Sequence, residues 1–144
     1  MLIKDILEKK GTQVRTVPLG TSVRQAAREM IEHKVGAVVI AEGSKVLGIF
    51  TERDNLRLTS TGPYSPDETT IDGSMTSDVV VGLPSDSIEA AMAVMTEKRV
   101  RHLPIISDGL LVGIVSIGDV VRAISEKQKA EIHYMRDYIS GTMG

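Results

Sequence analysis

Residues 48–54 read GIFTERD and residues 113–119 read GIVSIGD. Each stretch is a glycine, two apolar residues, a hydroxyl residue, two variable positions and an aspartate. A shift of 65 positions lays Gly48 on Gly113, Ile49 on Ile114, Thr51 on Ser116 and Asp54 on Asp119. The register continues outward: Ser22 falls on Ser87, Ala26 on Ala91, Met30 on Met95, Val35 on Val100, Ile40 on Ile105 and Arg57 on Arg122. No gap is needed from Ser22 to Arg57, while Pro18 and Pro84 are out of step by one residue, so one turn differs in length. The chain is an internal duplication, and its fold is two copies of one unit.

The unit is legible from its periodicity. VRTV and VVVGL are short β-rich runs that end near a proline. SVRQAAREMIEH and SIEAAMAVMTEK place apolar residues at helical spacing behind polar starts that suit helix caps, at Ser22–Gln25 and Asp86–Glu89. GAVVIA with VLGIF, and HLPII with LVGIV, read as hairpins closed by the turns EGSK and SDG. A helix then begins at the hydroxyl residue. The expected fold class is α+β: two β-α-β-β-α repeats related by pseudo-two-fold symmetry, with a short N-terminal helix and an extended C-terminal one. The expected boundaries are repeat 1 at 12–59, a linker rich in proline and glycine at 60–74, repeat 2 at 75–125 and a helical tail at 126–144. The N-terminal helix spans residues 2–9. In the tail, Ile132, Met135, Tyr138 and Ile139 form an apolar stripe that either packs on its own domain or makes a dimer contact.

Bulk composition narrows the function. The chain has 144 residues, 42% of them hydrophobic and 25% charged, enough for a real core. A net charge of −2 and 3% aromatic residues disfavour a nucleic-acid binder. The absence of cysteine excludes disulfides, thiolate metal sites and cysteine nucleophiles, and fits the cytoplasm. MLIKDILEKKG lacks the long apolar run of a signal peptide, and no stretch approaches a membrane span.

The repeated motif has two physical readings. A hydroxyl residue followed three positions later by an acid is the spacing of a capping box, in which the hydroxyl accepts from the N3 amide and the acid from the cap amide. The glycine then permits close packing in a strand. The same geometry suits a ligand. A helix N-terminus offers free amides to a phosphate, and one carboxylate can accept from both hydroxyls of a ribose. Arg57 and Arg122, one turn beyond each aspartate, favour a ligand, although each can instead pair with that aspartate within the helix.

Two β-α-β-β-α copies that each end in G-h-h-[ST]-x-x-D resemble a tandem cystathionine β-synthase (CBS) domain pair, or Bateman module, especially the small stand-alone prokaryotic CBS-domain proteins. MTEKRVRHLPII…LVGIVSIGDVV and TERD are typical of that family. The resemblance, which runs from about Thr12 to Arg122, implies a regulatory, non-enzymatic module with no catalytic residues and no metal. It implies an adenosine ligand, AMP or else ATP, ADP, NAD or S-adenosylmethionine, held in two clefts between the copies. Ribose would go to Asp54 with Thr51 and to Asp119 with Ser116. The base would lie on the runs that include Thr16, Val17 and Val81. Residues at the start of the middle strand would face the ligand: Arg101, His102 and Pro104 in copy two, Gly36 and Ala37 in copy one. On that mapping the Asp119 cleft is the better phosphate site, unless Arg53 or Arg57 compensates at Asp54. The output would pass through a homodimer or a regulated enzyme or transporter. The rival reading is a ligand-free interaction module whose motifs are only caps.

No other constellation points to chemistry. His33, His102 and His133 have no metal-ligand spacing among them, and no P-loop, G-x-G-x-x-G or nucleophile elbow occurs.

Overall fold

Each of the two helical segments that follow a β-rich run starts at a serine whose hydroxyl caps it. Ser22 accepts from the Gln25 amide at 3.1 Å and Ser87 from the Ala90 amide at 3.0 Å. Asp86 is not part of the second cap; its carboxylate accepts from the Leu83 amide and closes the preceding turn. Both helices end in a left-handed residue, Lys34 at φ 54° and Arg99 at φ 55°. Such a conformation is uncommon for residues other than glycine, and its repetition at the same step marks a shared design.

The computed structural model describes residues 1–61 and 65–143, with side chains through Tyr138. In chain order the elements are α1 (Ile3–Lys10), β1 (Thr16–Val17), α2 (Val23–His33), β2 (Ala37–Glu42), β3 (Lys45–Thr51), α3 (Glu52–Ser60), α4 (Ile88–Lys98), β4 (His102–Ser107), β5 (Leu110–Ser116) and α5 (Ile117–Met143). The fold is α+β, as expected. β2 and β3 pair antiparallel, as do β4 and β5, and both ladders carry a register shift at the equivalent point, Ile40/Ala41 and Ile105/Ile106. β1 joins β2 in parallel. Its counterpart in copy two is reduced to one bridge, in which Gly82 donates to the Pro104 carbonyl and accepts from the Ile106 amide.

The connectors are where the structure departs from the sequence reading. Ile71 lies in the stretch expected to be a linker, yet it is 0% exposed and sits in the first core with Val17, Val23, Met30, Val38 and Phe50. Ile3, Ile6 and Leu7 of α1 complete the second core, with Ile88, Met95, Leu103 and Val115. Each core is therefore closed by the segment that precedes the other copy. The bridges Leu2↔Ser87 and Ser22↔Thr70 place these two segments equivalently. This crossing ties the copies together and explains the motif glycines. A Cβ on Gly48 would stand 2.6 Å from Met75 Sδ, and one on Gly113 would stand 2.7 Å from Leu7 Cδ2. The crossing segments press directly on β3 and β5, so a Cβ at either glycine requires the Met75 or Leu7 side chain to shift.

α5 runs unbroken from Ile117 to Met143, longer than the helix it matches in copy one. Ile132, Met135 and Tyr138 are exposed on it; the Ile139 side chain, also assigned to that stripe, lies outside the described residues, as does Pro63 of the linker. Among the described residues no helix is long and apolar enough to cross a membrane.

Candidate functional site

Both aspartates of the repeated motif are capping residues. In copy one the Asp54 carboxylate accepts through Oδ2 from the Thr51 amide at 2.9 Å and the Thr51 hydroxyl at 3.1 Å, while the Asp54 amide donates to Thr51 Oγ1 at 3.3 Å. In copy two the Ser116 amide donates to Asp119 Oδ2 at 2.8 Å, and the Asp119 amide to Ser116 Oγ at 3.1 Å. Among the described residues, the second oxygen of each carboxylate meets only an arginine. Arg57 lies 3.3 Å from Asp54 Oδ1 and Arg122 3.6 Å from Asp119 Oδ1. A capping box thus consumes one oxygen and turns the other outward.

Each motif opens onto a cleft built from both copies. The first, about 400 Å³, is lined by Thr51, Glu52, Arg53, Asp54 and Arg57 of copy one, by Thr76 and 78–80, and by 99–102 of copy two. The second, about 670 Å³, is lined by Ser116 and Asp119, by Lys10 and 13–15, by 33–37 of copy one, and by Arg101 and His102. Both volumes fall in the range of small-ligand sites. The two crossovers Glu52 N–H to Gly36 carbonyl (3.1 Å) and Ile117 N–H to Arg101 carbonyl (2.8 Å) set this geometry, since each fixes a helix start beside a middle-strand start.

Of the residues expected to bind, Thr51, Arg53 and Asp54 line the first cleft, Ala37, Ser116 and Asp119 the second, and Gly36, Arg101 and His102 both. Thr16, Val17, Val81 and Pro104 line neither. Thr16 pairs with Val39, Val17 is buried in the first core, Val81 is 43% exposed, and Pro104 is buried opposite Ile114 in its ladder. The segments at the cleft walls are 13–15 and 78–80, a few residues upstream, because the chain reaches the cleft rim before it enters the sheet. The assignment of Arg101 and His102 to Asp119 alone followed chain neighbourhood. The structure seats them between the two motifs, with His102 Cε1 only 3.0 Å from where a Cβ on Gly36 would stand.

Lys10 has no counterpart in the sequence reading. Its ammonium donates to Asp119 Oδ2 at 2.6 Å and to the Ile114 carbonyl at 2.9 Å. No local pattern could reveal a contact spanning 109 residues. Burial alone would raise the Asp119 carboxyl, but the Lys10 and Ser116 hydrogen bonds outweigh it and hold the group below the usual carboxylate range. Among the described residues Glu29, Glu32 and His33 also cluster on α2, with ligand-type atoms within 4.8 Å of one another; His33 Nε2 already lies 3.4 Å from Glu29.

Burial pushes the His102 imidazole below its ordinary 6.5, with Lys10 and Arg101 acting in the same direction and Glu52 and Asp119 opposing. The unfolded chain therefore takes up this proton at higher pH than the folded one. Stability from neutral His102 is complete above 6.5 and declines as pH falls below it. Urea midpoints measured from neutral pH downward should fall less steeply in His102→Gln than in the unsubstituted protein. Equal slopes would show that His102 does not titrate on unfolding.

The CBS domain profile matches residues 3–56 and 70–126, both repeats. The mitochondrial CBS domain-containing protein CBSX3 of Arabidopsis thaliana is 34% identical over 148 residues, covering 96% of this chain and 72% of that protein. The crystal structure of the CBS-domain containing protein ATU1752 from Agrobacterium tumefaciens is similar at a TM-score of 0.82 and 39% identity, over 85% of this chain and 98% of that one. The CBS domain pair of protein MJ0100, solved with 5′-methylthioadenosine and S-adenosyl-L-methionine, gives a TM-score of 0.78 at 25% identity over 88% of this chain and 98% of that one. With both repeats matched and the paired architecture reproduced, the chain belongs to the CBS domain family.

Proposed function

We propose that the protein is a regulatory module that binds an adenosine-containing ligand in the clefts at Asp54 and Asp119 and signals through a partner protein or its own dimerisation. The observation that carries this reading is the half-used carboxylate. A cap needs one oxygen; at Asp54 the second oxygen meets Arg57 on the wall of the first cleft, and at Asp119 it meets Arg122, which lines the groove between α1 and α5 beside the second cleft. A ribose diol suits such an acceptor, and the basic residues around it suit phosphate. The ligands of the MJ0100 pair are both adenosine derivatives, which supports the same class here. AMP is the favoured member, with ATP, ADP, NAD and S-adenosylmethionine as competitors. No catalytic role is assigned to any residue. The exposed Ile132, Met135 and Tyr138 of α5 are the proposed dimer contact, and the cytoplasm suits a cysteine-free chain.

A specific observation favours the second reading. Both boxes close as caps, and Lys10 adds a charged partner to the capping oxygen of Asp119. Titration calorimetry of the purified protein with AMP, ADP, ATP, NAD and S-adenosylmethionine decides between them. The expected result is saturable heat with at least one of the five. No heat with any of them would leave an interaction module held together by capped helices.

A further inference from the structure

The two clefts differ at one point that the repeat does not explain. In copy one the Ile49 carbonyl accepts from the Thr76 amide at 2.9 Å, because the crossing segment there makes a single antiparallel bridge to β3. In copy two the crossing segment is the helix α1, and the equivalent carbonyl, on Ile114, accepts from the Lys10 ammonium instead. That ammonium therefore stands in the second cleft, bonded to the carboxylate oxygen that also closes the cap. Among the described residues of the first cleft no lysine lines the wall, and the acid Asp78 does.

We propose that Lys10 makes the Asp119 cleft selective for adenosine ligands that carry a phosphate. The proposal rests on the adenosine reading above. A ribose diol that engages both oxygens of Asp119 competes with the ammonium for Oδ2. The ammonium sits at the C-terminal end of α1 on a side chain one-third exposed, and without Oδ2 its remaining partner there is the neutral Ile114 carbonyl. A phosphate on the same ligand restores a charge-assisted partner to it, with Arg15, Lys34 and Arg101 on the same walls. A neutral nucleoside leaves the ammonium without an anion, and a cationic ligand such as S-adenosylmethionine adds repulsion. One charged hydrogen bond gained or lost corresponds to roughly 10- to 100-fold in affinity.

The test is a titration with AMP and with adenosine, followed in ¹⁵N–¹H spectra. The Gly118 amide reports the second cleft and the Val79 amide the first. At Gly118 the unsubstituted protein should prefer AMP to adenosine by at least about tenfold. Lys10→Met keeps the apolar stem and should collapse that preference at Gly118 while leaving the ratio at Val79 unchanged. Lys10→Arg should retain it. A ratio at Gly118 that survives Lys10→Met overturns the proposal and leaves the adenosine reading standing. Failure of both ligands to shift either amide in the unsubstituted protein overturns both.

Discussion

Replacing Ile71 with alanine will destabilise the protein by about 2–5 kcal/mol, the cost of truncating a buried aliphatic side chain in a core that cannot fully collapse. The residue stands in a stretch of chain whose prolines and glycines read as a connector. Its side chain is fully enclosed between α2 and the β1–β3 sheet, its amide donates to the Thr21 carbonyl at 2.9 Å, and its own carbonyl accepts from the Met75 amide at 2.8 Å. Small domains hold about 5–15 kcal/mol in total, so this one change removes a large fraction of the reserve. Ile3→Ala, at the equivalent place in the second core, will cost a similar amount. Ile31→Ala, on a side chain 80% exposed, will stay within about 0.5 kcal/mol. Urea unfolding read by circular dichroism measures all three. A loss below about 1 kcal/mol at Ile71 would mean that the crossing segment is a tether and not part of the core.

Substituting Asp54 by asparagine separates the cap from the clamp. The side chain is 5% exposed, and its Oδ2 accepts from the Thr51 amide at 2.9 Å. Asparagine keeps an oxygen for that amide, so the helix start should lose only about 1 kcal/mol. Its amide nitrogen replaces the second, anionic oxygen with a donor that cannot accept from a diol, and each charged hydrogen bond is worth about 1.5–3 kcal/mol. The affinity of the first cleft should therefore fall about 100-fold or more. Arg57, 64% exposed, can turn to water once its partner is neutral, so the ion pair adds little to either number. Melting and calorimetry run side by side distinguish the two roles. A modest loss of melting temperature with a large loss of affinity identifies a ribose clamp. The same melting shift with unaltered affinity would show that Asp54 is a cap and nothing more.

The helices, the hairpins and their order were legible because they rest on short-range physics. Helical spacing marked α2 and α4, a hydroxyl residue marked the cap of α2 while that of α4 was expected one residue early at Asp86, and two turns marked the hairpins. The duplication made each assignment twice over. Asp54 and Asp119 were legible as capping acids for the same reason, since a box closes within three residues.

What the sequence determined alone is therefore the repeated unit, its two hydroxyl–aspartate boxes and the kinds of side chain available to a cleft. Which side chains meet was decided by the tertiary structure. Ile3 and Ile71 carry the same apolar signal as any buried residue, and nothing nearby says that each closes the core of the other copy. Arg101 and His102 belong to copy two in the chain but stand between both motifs, because Gly36 and Glu52 of copy one lie beside the imidazole. Lys10 is one of several lysines in a charged helix until the fold sets it on Asp119. Local propensity acts over a turn or a strand pair, whereas the clefts form only when distant segments share one buried surface.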